Sequence, residues 1–230
     1  MIYQLRSLLR ENQKPLSWIG VGIVVLATGF WALSSHFFPS STGRTQDAAR
    51  LEADIAAVRD RLQTLSGERD PIESARTQVR LGVALETLGR REDGTARLKE
   101  AVSAFQEALN EFSREGVPLD WARTQINLGT TLFRLGEREG GTARYEEAIA
   151  AYREALRELT RERVPLEWAQ TQESLASVYH ALFVVTREPN YLDDALRTVE
   201  GALEEYHKAN AAFYIENAER LRQQIVTEGN

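Results

Sequence analysis

Polar and apolar positions divide the chain into two regimes. From Leu16 to Phe38 the stretch LSWIGVGIVVLATGFWALSSHFF carries no formal charge with histidine neutral. Its 23 residues match the roughly 20 apolar residues that cross a ~30 Å hydrocarbon core as a helix. From Arg44 onward charges recur every few residues, and apolar residues return at the i, i+3, i+4 spacing of amphipathic helices. Tyr145, Ile149, Tyr152, Leu156 and Leu159 illustrate it, on a helix expected from Thr142 to about Arg161. Prolines and glycines separate the periodic runs. Pro118 and Pro165 disfavour helix in the valine before them, and Gly136 is a plausible helix stop after a helix expected over Leu119–Leu135.

The runs repeat. VPLDWARTQ at Val117 recurs as VPLEWAQTQ at Val164, an offset of 47 residues without a gap. ARTQVRLGVALETLG at Ala75 matches ARTQINLGTTLFRLG at Ala122 and AQTQESLASVYHALF at Ala169. GTARLKEAVSAFQEAL at Gly94 matches GTARYEEAIAAYREAL at Gly141 and, more distantly, EPNYLDDALRTVEGAL at Glu188. Each unit reads as two helices joined by a loop. Small residues fall where the helices of a pair touch: Gly82, Gly129 and Ala176 on the first, Ala101, Ala148 and Ala195 and then Ala108, Ala155 and Ala202 on the second. Between those alanines stand Phe105, Tyr152 and Val199. Gly and Ala permit close approach, and the larger side chain fills the adjoining hole. Trp121 and Trp168 are expected to pack between neighbouring units.

Leu-Gly on one helix, followed by Ala, an aromatic and a second Ala on the next, resembles the tetratricopeptide repeat (TPR). The resemblance spans residues 73–206, three units, with a period longer than the usual 34 residues, similar to long-period bacterial arrays. The third unit departs most, with Ala176 for Gly and Val199 for the aromatic. The resemblance implies an all-α solenoid of helical hairpins, residues 67–208, whose first helices line a wall that binds a protein or peptide partner. By register that wall holds Arg76, Arg80 and Val83, then Arg123, Asn127, Thr130 and Arg134, then Gln170, Ser174, Ser177 and His180. Arginines there suit bidentate contact with carboxylates. The Lys, Asn and Arg clamp by which some TPR domains hold an acidic C-terminus is matched only at Asn127, so that activity does not carry over.

Both ends of the array are incomplete units. Residues 45–66 place Ala48, Leu51, Ile55, Val58, Leu62 and Leu65 on a heptad seam, consistent with a coiled-coil dimer. The same segment also lies in the 47-residue register as a second helix without its first. Asp54 and Arg61 then occupy the slots of Ala101 and Ala108, facing water where no partner helix exists. Residues 209–230 fall where a fourth first helix belongs, and their Arg and Gln residues suit a capping helix.

Ahead of the array the expected order is a basic amphipathic tail (1–15), a single transmembrane helix (16–38) and a linker (39–44). Trp18 and Trp31 sit toward opposite ends of the span as interfacial anchors. A cleaved signal peptide is the competing reading, with Ala32-Leu33-Ser34 as a loose cleavage site, but the run exceeds most signal cores. Arg6, Arg10 and Lys14 precede the span, so the positive-inside rule places the N-terminus in the cytoplasm and the repeats in the periplasm of a bacterial inner-membrane protein.

Charge and chemistry narrow the function. The net charge of −6 is uneven: residues 1–43 carry +2 and residues 44–66 carry none, which leaves −8 on the repeats. So acidic a body disfavours nucleic acid. Cysteine is absent, and His36, His180 and His207 lie far apart, so neither thiol chemistry nor a metal or other cofactor is expected. His180 has Glu173 seven residues before it but no nucleophile nearby, and EREGGTAR lacks the lysine and spacing of a phosphate loop. The expectation is a non-catalytic, membrane-anchored scaffold, an assembly or ancillary subunit of a membrane complex. The alternative is a self-oligomerising structural protein that zips through 45–66 and stacks its arrays.

Overall fold

The computed structural model describes residues 41–68 and 70–229. The tail and span expected over residues 1–38 lie outside them. Among the described residues no helix is long and apolar enough to cross a membrane. They form helices and connecting turns, with no strand: an all-α chain. In chain order the helices are α1 (Ser41–Glu68), α2 (Pro71–Gly89), α3 (Ala96–Glu111), α4 (Pro118–Glu139), α5 (Ala143–Ala155), α6 (Pro165–Thr186), α7 (Pro189–Lys208) and α8 (Ala212–Glu228). Residues 50–230 make one packed unit, and the helical residues 41–49 belong to a separate one.

The repeat prolines open helices. Pro71, Pro118 and Pro165 stand at the first turns of α2, α4 and α6, where a missing N–H costs nothing. Asp70 caps α2, its Oδ1 accepting from the Glu73 N–H at 3.0 Å. Helix α4 ends on Gly140 and Gly141, both at positive φ (72° and 78°). One repeat later Arg187 takes the same place at φ 61°, a left-handed position that disfavours a side chain by roughly 1 kcal/mol.

Packing follows chain order. Helices α2 and α3, α4 and α5, and α6 and α7 pair most closely, and each pair also packs against the next helix in sequence. Successive first helices touch as well: α2 with α4, α4 with α6, and α6 with α8. The pairs are antiparallel. On α2, Gly82 meets Phe105 and Gly89 meets Leu98; on α4, Gly129 meets Tyr152 and Gly136 meets Tyr145. Each contact recurs 47 residues on. The alanines at 101, 108, 148, 155, 195 and 202 are all fully buried, as their register implied. Thr77, Thr124 and Thr171 are buried too, and each hydroxyl donates to the carbonyl four residues back, so none of the three is stranded.

Three boundaries differ from expectation. Gly136 does not stop α4, which continues to Glu139; its role is steric, because a Cβ there would lie 2.5 Å from the Tyr145 ring. Helix α5 ends at Ala155, not near Arg161. The chain tightens through i→i−3 bonds from Arg157 and Glu158, and this turn still delivers Leu159 fully buried. Within the expected linker 39–44, residues 41–44 are already helical, since Pro39 can precede a helix and Gly43 only weakens one. Along α1, Ile55 and Leu65 are buried, Arg59 pairs with Glu100 of α3, and Asp54 and Arg61 are exposed.

Trp121 joins two core clusters. One contains Ala75, Ala108 and Phe112, the other Ala122, Ala155 and Leu159. It therefore lies at the joint between the first two pairs, as expected. Trp168 reaches Gly201 of α7.

Ala has about 1 kcal/mol better helix propensity than Gly, whereas overfilling a tight contact costs about 1–3 kcal/mol. At Gly136 the ring cannot retreat, because Tyr145 is buried and Phe133 lies against it, ring centres 5.8 Å apart. Gly136→Ala is therefore expected to lower stability by about 1 kcal/mol or more. Gly94, with nothing within 4 Å of a built Cβ, should accept Ala within about 0.5 kcal/mol. Urea unfolding midpoints of the two variants check this.

Candidate partner-binding cleft

The first helices α2, α4 and α6 carry the wall residues. Two of the arginines there turn out to be held by carboxylates of the chain itself. Arg76 bonds Asp120 through Nε at 3.2 Å and Nη2 at 3.0 Å. Arg123 makes a two-pronged contact with Glu167, at 2.9 and 2.7 Å. Each pair bridges consecutive first helices across 44 residues, one repeat less one helical turn. A second ladder joins the ends of the second helices: Arg114, after α3, with Glu158, after α5, and Arg161, after α5, with Glu205, in the last turn of α7, at 2.6 Å. Their guanidiniums lie over Trp121 (6.0 Å) and Trp168 (5.1 Å). Arg134 reaches back to Glu86 at 3.1 Å, and Arg138 donates to the carbonyls of Gly89 and Gly94.

These pairs fix register more than they add stability. The Arg76 and Arg123 side chains are about half exposed and their partners about a third, so each pair contributes under about 1 kcal/mol. The Arg123 hydrogen bond holds the Glu167 carboxyl below its ordinary range, and Glu167 raises the guanidinium in turn.

Arg76, Arg80, Arg123 and Asn127 lie along one space. With Val79, Phe112, Asp120 and Thr124 they line an open cleft of about 370 Å³ between α2 and α4. The other expected wall residues are placed differently. Val83 is exposed. The Thr130 hydroxyl lies 2.9 Å from the Tyr152 phenol, whose pKa burial raises, and Arg134 is committed to Glu86. Ser174 and Ser177 donate to the carbonyls of Gln170 and Glu173 on their own helix. His180 faces α8, its Nε2 3.2 Å from Glu228 but outside hydrogen-bond geometry. Gln170, partly buried, replaces the arginine of the earlier units. Among the described residues no group of three His, Asp or Glu side chains stands close enough to hold a metal.

The sequence held a signal for the ladder. At the first wall position of each unit, Arg (76, 123) is followed 44 residues on by an acidic residue (Asp120, Glu167), whereas at Gln170 that residue is Tyr214. A second covariation marks the third unit. Val79 packs with Phe112, and Ile126 with Leu159, each in an apolar cluster. At the corresponding positions stand Glu173 and Tyr206, whose phenol donates to Glu173 Oε2 at 2.7 Å. Desolvation raises the Glu173 pKa against the lowering effect of that bond, and burial beside Glu173 also raises the Tyr206 phenol.

No protein-family model matches the chain, and no curated protein matches it. Among solved structures it is similar to the crystal structure of BtubC (BKLC) from P. vanneervenii, at 18% identity over 80% of this chain and 76% of that one, with a TM-score of 0.48. It is also similar to the DHF58 filament, at 17% identity over 81% and 84% of the two chains, with a TM-score of 0.36. Neither likeness bears on what the chain does.

Tyr206→Leu strips the half-buried Glu173 carboxyl of its donor and should cost about 1–3 kcal/mol. Glu173→Ile with Tyr206→Leu restores the pattern of the second unit and should recover most of it. The pH dependence has a definite sign. A raised carboxyl binds its proton more tightly folded than unfolded, so stability is lost as pH rises from the ordinary value near 4.5 through the raised one. Glu173→Gln should therefore gain on the wild type as pH rises from about 4 to 7, in thermal melts across that range. Glu167, held low, acts oppositely: its contribution is present above about 4.5 and lost as pH falls through its folded value.

Proposed function

We propose that the chain is a non-catalytic, membrane-anchored scaffold: a TPR-like solenoid that holds a protein partner beside a bacterial inner membrane, as an assembly or ancillary subunit of a larger complex. The observation that carries this reading is the open cleft between α2 and α4, where cationic and amide side chains from two successive units face solvent. Three hairpins related by one sequence offset, with their first helices in contact, support the solenoid. The uncharged run Leu16–Phe38 supports the anchor, and the basic residues before it support a periplasmic array. The self-assembling alternative gains little from the structure, because Ile55 and Leu65 of the heptad seam are already covered within one chain.

In-membrane crosslinking followed by mass spectrometry tests the scaffold. The expected outcome is one recurrent partner joined to residues of α2 or α4, in near-stoichiometric yield. Recovery of only this chain's own copies would favour the self-assembling alternative, and recovery of nothing would sink both.

A further inference from the structure

The polar side chains of the α2–α4 cleft are unequally committed. Arg76 and Arg123 are held by Asp120 and Glu167, and the Thr124 hydroxyl donates to the Asp120 carbonyl at 2.7 Å. Arg80 and the Asn127 carboxamide line the same space yet make no ion pair or side-chain hydrogen bond among the described residues. They occupy the same repeat position in consecutive units, 47 residues apart. The cleft therefore presents one uncommitted cation, one uncommitted amide and an apolar wall of Val79 and Phe112. Arg76 and Arg123 are neutralised by their carboxylates, which leaves Arg80 as the source of the cleft's net positive charge.

We propose that this cleft seats one internal Asp or Glu side chain of a partner's peptide segment, bound by Arg80 and Asn127, with a neighbouring apolar side chain against Val79 and Phe112. The proposal rests on the scaffold reading and names what the wall recognises. A guanidinium binds a carboxylate with two parallel bonds, and the amide N–H₂ supplies a further donor. A carboxylate fits better than a phosphate group. Among the described residues only one cation of the lining is uncommitted, and the Asp120 carboxylate in the same lining disfavours a second negative charge. Because an internal side chain is the target, a free chain terminus is not required.

The test uses the purified full-length chain in detergent micelles and a pool of N-acetylated, C-terminally amidated decapeptides with randomised interiors. Selected peptides should be enriched in Asp or Glu beside an apolar residue. Arg80→Gln should weaken the best of them by about tenfold, and Asn127→Ala by several-fold. Both variants should melt like the wild type, because neither side chain has an intramolecular partner to lose. Arg157→Gln removes the same charge from the exposed face of the turn after α5 and should bind unchanged. Selected peptides without acidic enrichment, or binding untouched by Arg80→Gln, would overturn the carboxylate assignment and leave the scaffold reading standing. Displacement by inorganic phosphate beyond that by chloride at equal ionic strength would overturn it in favour of phosphate. A pool from which nothing is enriched would overturn both this assignment and the wall's role in binding.

Discussion

Everything in residues 50–230 depends on how closely the two helices of a pair approach. Gly82 and Gly129 give up their side chains so that the rings of Phe105 and Tyr152 can lie against the backbone of α2 and α4. The alanines on either side of each ring are sealed from water. Helix crossings this tight leave little latitude in rotation or sliding. Once the angle within a pair is set, the faces it presents to its neighbours are set too, and the wall residues gain fixed positions. Exposed ion pairs worth under about 1 kcal/mol apiece do not drive such packing. They bias the stacking register that it allows.

That division of labour explains where the copies diverge. The helix-facing alanines at 101, 148 and 195 and at 108, 155 and 202 are kept from unit to unit, whereas the contacts toward the next unit change. Arg76–Asp120 becomes Arg123–Glu167 and then ends at Gln170. Within each pair, beside the joint to the next helix, the apolar contacts of Val79 with Phe112 and of Ile126 with Leu159 give way to the hydrogen-bonded Glu173–Tyr206. Beyond them, Tyr214 of α8 stacks on Tyr206 with ring centres 5.2 Å apart. The last joint thus combines stacked tyrosines with a hydrogen-bonded carboxyl, where the earlier ones combine apolar side chains, a tryptophan and ion pairs.

Much of the fold was legible in the sequence because close packing leaves a residue-type record. A gapless offset, Leu-Gly followed by Ala-aromatic-Ala, and prolines in register together locate the hairpins. Boundaries were less legible, since one residue type serves two purposes. Gly136 resembles a helix stop but is a contact for Tyr145, whereas Gly140, four residues on, is the true terminus. The wall was legible as a face, and Arg76, Arg80, Arg123 and Asn127 do meet in one cleft. Which of them are free was not. A guanidinium's partner lies one repeat less one turn away, a spacing visible only when acidic residues are compared across units. Thr130, Arg134 and His180 share the face by register, yet their side chains turn to Tyr152, Glu86 and Glu228.

The central claim is that consecutive pairs stack so that positions 44 residues apart, not those two units apart, are neighbours across each seam. The chain contains no cysteine, so introduced pairs report without background. Double-cysteine variants of the full-length chain at 76 and 120, at 123 and 167, and at 76 and 167, treated with a short bifunctional thiol reagent, measure this directly. The account predicts efficient intramolecular linkage for the first two pairs and none for the third. Equal linkage at 76 and 167, or linkage of the first two only between separate chains, would contradict it.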